Sequence, residues 1–405
     1  ASIVSLPFKK EQTMFQKIYL VGAFDRHNYG DILFPIIHSK ILLNNGYPEN
    51  SIEYVAVSAS DMREIGGYKT ISIKELLSRQ LTRNDLVVLC GGDILSADWL
   101  LMLGNLTQPW INKLFRISRK ILAKNVLGQL NHYPYIISNT DTQATIIYTA
   151  VGGAGFVGNQ RHISKVADLL RGCHSVSVRD HGIESLLKRH NVKVRLIPDT
   201  ALPMSALFSK DFLNARHWKN KVLTFANFDF SKYFVLQGAK RLLSSDIANI
   251  VEQIKGIHAA TGYAPLLVPI GKAADHEDHI PLTDIYNQLK SANSPCAFLD
   301  SEHVMDIMAA LANATCYIGT SLHGAITSYS FHNKVVAIQS EQVPKLKDFL
   351  NTWVNSGDYY LSNSCLFKEQ VIDLITNNMH FHSEKQLEEQ IGQVTRELLT
   401  YELSR

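Results

Sequence analysis

The 405-residue sequence has little of what marks several protein classes. Its five cysteines, Cys90, Cys173, Cys296, Cys316 and Cys365, are scattered and form no C-x-x-C pair. An odd, dispersed set excludes a disulfide framework and a zinc site, and most of them lie in or beside apolar runs, as buried reduced thiols do. No stretch approaches the ~20 apolar residues of a membrane span. The segment Ala1–Gln16 carries Lys9, Lys10 and Glu11 where a signal peptide would have an apolar core. Charge of one sign is also missing: 40 Lys and Arg against 37 Asp and Glu leave +3. That is not the clustered basic excess of a nucleic-acid binder, so no nucleic acid is expected as partner. Twelve prolines and 23 glycines exclude collagen-like and low-complexity chains, and 46% hydrophobic residues exclude disorder. What remains is a globular, cytoplasmic chain with enough length for two or three cores.

What is present is a regular alternation. Short apolar runs at Lys17–Gly22, Ser51–Ala59, Asp85–Cys90, Ala144–Val151, Ser175–Arg179 and Val194–Ile197 read as strands. Helical stretches separate them, one running from Ile32 to Asn45 and stopping at Gly46. The alternation restarts with Lys221–Ala226, Pro265–Ile270, Cys296–Leu299, Cys316–Gly319 and Val335–Ile338. Continuous β-branched strands separated by helices predict parallel sheets covered on both faces. The expected fold is α/β, two doubly wound Rossmann-like domains facing a cleft. Their limits are placed at 1–212 and 213–380, with a terminal helix in 381–405.

Ligands of such sheets bind beyond the carboxyl ends of strands, so the loops there carry the functional reading. In Gly22-Ala-Phe-Asp-Arg-His-Asn-Tyr-Gly-Asp31, Gly22 and Gly30 let backbone approach a ligand and Asp31 is placed to cap the next helix. This loop lacks the dinucleotide fingerprint. Gly91 and Gly92 follow a fully apolar strand, where they serve a tight turn or a phosphate. Gly152-Gly-Ala-Gly155, with Gly153 inside it, can cradle an anion, but no P-loop Lys-Ser/Thr follows, which excludes an ATPase. Arg179 ends a buried strand, where its guanidinium either holds phosphate or carboxylate or pairs with Asp180 or Asp199. Gly319-Thr-Ser-Leu-His323-Gly324 joins a strand to a helix with hydroxyls and a histidine suited to phosphate and proton transfer. Lys345 stands near a later helix start. The histidines His276, His279 and His332 match no zinc spacing, so no metal is expected. Lys113, Arg116, Arg119, Lys120 and Lys124 interrupt an apolar stretch, a basic amphipathic helix that packs on a core or lies on an anionic membrane.

The order of these loops resembles the polysaccharide pyruvyl transferase family. The resemblance is carried by Gly22 with Asn28-Tyr-Gly-Asp31, by Gly91-Gly92, by Ser177-Val-Arg-Asp180 and by Pro198-Asp199. It continues in Leu322-His323-Gly324 and in Lys345 ahead of Phe349, and so spans about residues 18 to 350. Two departures stand out: Asp93 where the family often has a third glycine, and Thr320-Ser321 where an arginine often precedes the leucine.

The resemblance implies a fold like that of GT-B glycosyltransferases and no cofactor, with phosphoenolpyruvate as donor substrate. It implies transfer of pyruvate to a sugar of a bacterial-type cell-surface polysaccharide or its precursor, as a cyclic ketal with release of phosphate. Arg179, Ser321, Gly324, Lys345, Asn28, Gly30, Gly91, Gly92 and Gly153 are then the binding residues. His323 is the proton-transfer residue, and Asp31 or Asp199 the base toward the acceptor. The first domain would take a sugar acceptor, lipid-linked or nucleotide-linked, and the second the phosphoenolpyruvate. The basic stretch 110–124 would suit peripheral contact with the inner face of a membrane. A nucleotide-sugar glycosyltransferase, with Glu341 as a loose ribose ligand, and a binding module without catalysis are the competing readings.

Overall fold

The computed structural model describes residues 15–97, 133–153, 160–244, 246–271, 277–339, 345–362 and 366–399. The basic stretch 110–124, Glu341, His276, Cys365 and the end of the 152–155 glycine loop lie outside the described residues. Contacts divide the chain into two units. One comprises Ala1–Arg26, Asp31–Thr200 and Gly392–Arg405, and the other His27–Gly30 and Ala201–Ile391.

The first unit holds an eight-stranded sheet. Its strands are β1 (Lys17–Val21), β2 (Ile52–Ala56), β3 (Ser60–Asp61), β4 (Lys69–Ser72), β5 (Asp85–Cys90), β6 (Thr145–Val151), β7 (Ser175–Val178) and β8 (Arg195–Leu196). The order is β3-β4-β2-β1-β5-β6-β7-β8, parallel except for the antiparallel β3–β4 pair. β1, β5 and β6 read as unbroken apolar runs because both faces are covered. On one face Val21, Val87, Leu89, Tyr148 and Val178 pack with Val166 and Leu170 of the helix Gln160–Leu170 and Leu187 of the helix His181–Arg189. The helix Tyr29–Asn44 begins ahead of the expected Ile32, so Asp31 lies in its first turn rather than before it. β6 slips register after Tyr148, and Ala150 takes a left-handed φ of 48° while its N–H donates to Ser177 Oγ. This bulge re-aims the chain into Gly152.

The second unit holds a seven-stranded sheet ordered β15-β14-β13-β10-β11-β12-β9. The strands are β9 (Val222–Phe225), β10 (Tyr233–Leu236), β11 (Ala264–Leu267), β12 (Cys296–Leu299), β13 (Cys316–Gly319), β14 (Lys334–Ile338) and β15 (Tyr359–Ser362). Two of them, β10 and β15, were not among the expected strands. The stretch expected to lead this unit, Lys221–Ala226, is instead the edge strand β9, antiparallel to β12 and largely exposed. The leading strand is β10, four fully buried residues between β11 and β13.

Residues 201–212 pack with the second unit: Ser330 Oγ donates to Leu202 O and accepts from Ser205 N–H. The terminal helix, expected in 381–405, runs over Glu384–Leu399. Its early residues Gln386 and Gln390 donate to Trp353 O in the second unit. In the first unit Gln393 donates to Leu196 O and Glu397 pairs with Arg195. No helix of the described residues is long and apolar enough to cross a membrane.

Candidate functional site

In a doubly wound sheet the ligand crevice lies where the strand order reverses. In the first unit that point falls between β1 and β5, so the loops Gly22–Arg26 and Gly91–Asp93 flank it. Gly91 and Gly92 both have left-handed φ, 49° and 69°, which ordinary residues adopt only with strain. They are held as a turn: Gly91 N–H donates to Thr149 O, and Gly152 N–H donates to Gly92 O.

Arg179 sits at the end of β7 and is 7% exposed. Its Nη1 donates to Asp199 Oδ2 at 2.8 Å and its Nη2 to Asp93 Oδ1 at 2.9 Å. Burial alone would lower its pKa, but Asp93 and Asp199 raise it further, so the guanidinium is a fixed cation. Asp199 is fully buried. Asp180 caps the helix His181–Arg189 by accepting from Ile183 N–H, and its charge adds to the field that holds Arg179 protonated. β6 lies between β5 and β7, and Gly152 lets Asp93 and Arg179 meet across it. A Cβ at residue 152 would lie 2.4 Å from Asp93 Oδ1 and 3.1 Å from Arg179 Nε. Gly153 is buried beside it.

Arg26 is a residue the sequence reading passed over. Its Nη2 donates to Tyr135 Oη at 3.2 Å and lies 3.5 Å from Asp25 Oδ1. Asp25 Oδ2 in turn accepts from the N–H and hydroxyl of Ser58. The signal available in the sequence was a cation in the loop leaving the first strand. His38 is buried, which pushes its imidazole down to about 4; its Nδ1 lies 2.7 Å from Phe34 O and its Nε2 3.1 Å from Thr149 Oγ1.

In the second unit the order reverses between β10 and β13. Gln237, just past β10, fills this point. Its Oε1 accepts from Thr320 N–H (3.1 Å), Ser321 N–H (2.9 Å) and Tyr317 Oη (2.7 Å). Its Nε2 donates to Asp278 Oδ2 at 2.8 Å, which also accepts from the N–H groups of Ile270 and Gly271. The backbone N–H groups of Thr320 and Ser321 are thus engaged internally. Ser321 Oγ caps the helix Leu322–Ser330 by accepting from Gly324 N–H, and Gly324 clears the Tyr317 ring, which a Cβ there would approach to 2.7 Å.

The segment His27–Gly30 is stitched to this same unit. His27 Nδ1 lies 3.0 Å from Glu302, Asn28 forms a β-bridge with Gly271, and Tyr29 Oη bonds Thr327 Oγ1 at 2.9 Å. Gly30 lies against the imidazole of His323: a Cβ there would be 1.9 Å from Nδ1. Asn28 Oδ1 accepts from Gly30 N–H, closing the turn. The first and last loops singled out in the sequence therefore meet in one place. Lys345 opens the helix Lys345–Trp353, beyond β14. Among the described residues no three His, Cys, Asp or Glu side chains gather as a metal site.

The family model for polysaccharide pyruvyl transferase matches residues 28–341. The chain belongs to this family. No curated protein matches it significantly in sequence. Among solved structures, this pyruvyl transferase resembles UDP-GlcNAc 2-epimerase from Methanocaldococcus jannaschii, with a TM-score of 0.57 at 13% identity over 94% of this chain and 99% of that one. It also resembles the Neisseria meningitidis UDP-GlcNAc 2-epimerase bound to UDP-GlcNAc, with a TM-score of 0.54 at 11% identity over 95% and 98%. At such identity the likeness is one of fold, the GT-B type. Both departures of this pyruvyl transferase from the family pattern have a place in its structure. Asp93 is the second carboxylate on Arg179, and Thr320 Oγ1 accepts from Ala239 N–H at 3.2 Å, joining the loop after β13 to the one after β10.

Proposed function

We propose that this polysaccharide pyruvyl transferase takes pyruvate from phosphoenolpyruvate and places it on a sugar as a cyclic ketal. The observation that carries the reading is the contact of Gly30 with His323, which joins the Asn28-Tyr-Gly and Leu322-His-Gly motifs around one imidazole. A sugar hydroxyl adds to C2 of phosphoenolpyruvate while C3 receives a proton and becomes a methyl group. The C2–O bond to phosphate then breaks through an oxocarbenium-like state. A second hydroxyl of the same sugar adds to C2, and its proton leaves with the base or the phosphate.

In this reading His323 delivers the proton to C3, and the second unit holds the donor with Lys345, Ser321, Asn28 and Gly30 around it. Asp199, buried under Arg179, is a positioning residue rather than the base, which leaves Asp31 for the acceptor hydroxyl. Arg179 in turn shapes the acceptor side of the first unit, where Gly91, Gly92 and Gly153 line the strand ends. Phosphoenolpyruvate is a substrate, so the chemistry calls for no cofactor. The acceptor in this reading is a nucleotide-linked or lipid-linked sugar.

Thermal stability followed during titration tests the donor. A ligand that binds only the native state adds about 2.7 kcal/mol at a hundredfold excess over Kd. Phosphoenolpyruvate is expected to raise Tm for the wild type and for His323→Ala, with the variant alone losing phosphate release in the presence of acceptor. If phosphoenolpyruvate is silent while a nucleotide sugar raises Tm and is hydrolysed or transferred, the glycosyltransferase reading replaces this one.

A further inference from the structure

In the second unit a few contacts and short steps along the chain link the loops after β10, β11 and β13 to the segment Asn28–Gly30. Gly30 meets His323, His323 continues back through Ser321 to Thr320, and Thr320 Oγ1 accepts from Ala239 N–H. Next in chain is Lys240, whose Nζ donates to Glu277 Oε2 at 3.1 Å. Glu277 precedes Asp278, whose N–H donates to Gly271 O, and Gly271 bridges to Asn28, two residues from Gly30. The loop Gly319–Gly324 has no lysine or arginine of its own. Among the described residues of these linked loops, Lys240 is the lysine.

We infer that Lys240 binds the phosphate of the donor. This rests on the donor reading above and deepens it. The side chains of Lys240 and Glu277 are 45% and 40% exposed, so their mutual pairing is weak and screened by water. Such a pair yields readily to a doubly charged phosphate. A lysine ammonium is a compact point charge with three rotatable donors, suited to phosphate oxygens. Glu277 has a left-handed φ of 39°, a conformation that costs a non-glycine residue energy and is held here by the bonds to Asp278. Glu277 thus stands as a resident carboxylate on Lys240 that the incoming phosphate displaces.

The test uses the full chain and three probes: phosphoenolpyruvate, inorganic phosphate, and pyruvate, which has the carboxylate but no phosphate. Lys240→Gln is expected to weaken phosphoenolpyruvate and phosphate at least tenfold and to leave pyruvate unchanged. Lys240→Arg is expected to restore part of the loss, and Glu277→Gln to tighten both phosphate-bearing probes several-fold. An unchanged unliganded Tm in Lys240→Gln separates these effects from misfolding, and Glu277→Gln carries the test if that variant is unstable. Equal binding of phosphoenolpyruvate by wild type and Lys240→Gln would overturn the assignment, as would an equal loss of pyruvate. If the wild type takes inorganic phosphate through Lys240 but refuses phosphoenolpyruvate, the donor reading falls and the phosphate site stands.

Discussion

A single hydrogen atom at residue 30 decides how close the chain comes to His323. The φ of Gly30 is not in the left-handed region, so its role is space rather than backbone freedom. Adding a methyl group would put carbon 1.9 Å from Nδ1, well inside van der Waals contact, and the imidazole would have to swing away. Gly30→Ala is therefore expected to lower kcat at least tenfold while phosphoenolpyruvate still raises Tm, since a misplaced proton donor costs turnover more than affinity. Steady-state kinetics with phosphate release as the signal would check this. An unchanged kcat would mean that the imidazole is not the group that moves the proton. Gly152 is the same argument in the first unit, where absence of a side chain lets Asp93 reach Arg179.

At the scale of elements, β10 and the loop after β13 depend on one side chain. Gln237 is 2% exposed and satisfies two backbone N–H groups, the Tyr317 hydroxyl and one carboxylate oxygen of Asp278. Gln237→Leu keeps much of the volume but strands those groups in a buried place. The expected destabilisation is roughly 2–4 kcal/mol, because each buried polar group left unpaired costs about 1–3 kcal/mol. Denaturant unfolding would measure it, and a loss under about 1 kcal/mol would mean that the loop finds other partners. This network also shows where the sequence is hard to read. The alternation of apolar runs and helices, the glycine loops and the family were legible, because buried parallel strands leave continuous apolar runs and loops keep their motif residues together. β10 was not, because Tyr233–Leu236 follows closely on an aromatic stretch, Phe225 to Phe230, that blurs where a new strand begins. Without β10 there was no reason to look at Gln237 or Lys240. The partners of Arg179 were half legible: Asp199 follows the next strand, but Asp93 lies two strands away and becomes a neighbour only across Gly152.

For the whole molecule, the division by contacts does not follow the division by sequence. His27–Gly30 leaves the first sheet's leading loop and belongs to the second unit, bonded through Asn28 to Gly271 and through Tyr29 to Thr327. A ligand of the second unit should therefore be felt in an N-terminal peptide that the order of strands assigns to the first. Amide hydrogen exchange reads this directly, since binding slows local opening in the segments that the ligand touches. Phosphoenolpyruvate is expected to slow exchange in 27–30, 237–240 and 316–324. It should leave 84–93, at the first unit's reversal point, at its unliganded rate. Peptides covering 84–93 should slow instead with whichever nucleotide-linked or lipid-linked sugar serves as acceptor. The opposite pattern, phosphoenolpyruvate protecting 84–93 and sparing 316–324, would exchange the roles of the two units. His323 and Lys240 would then lose their place in the donor site.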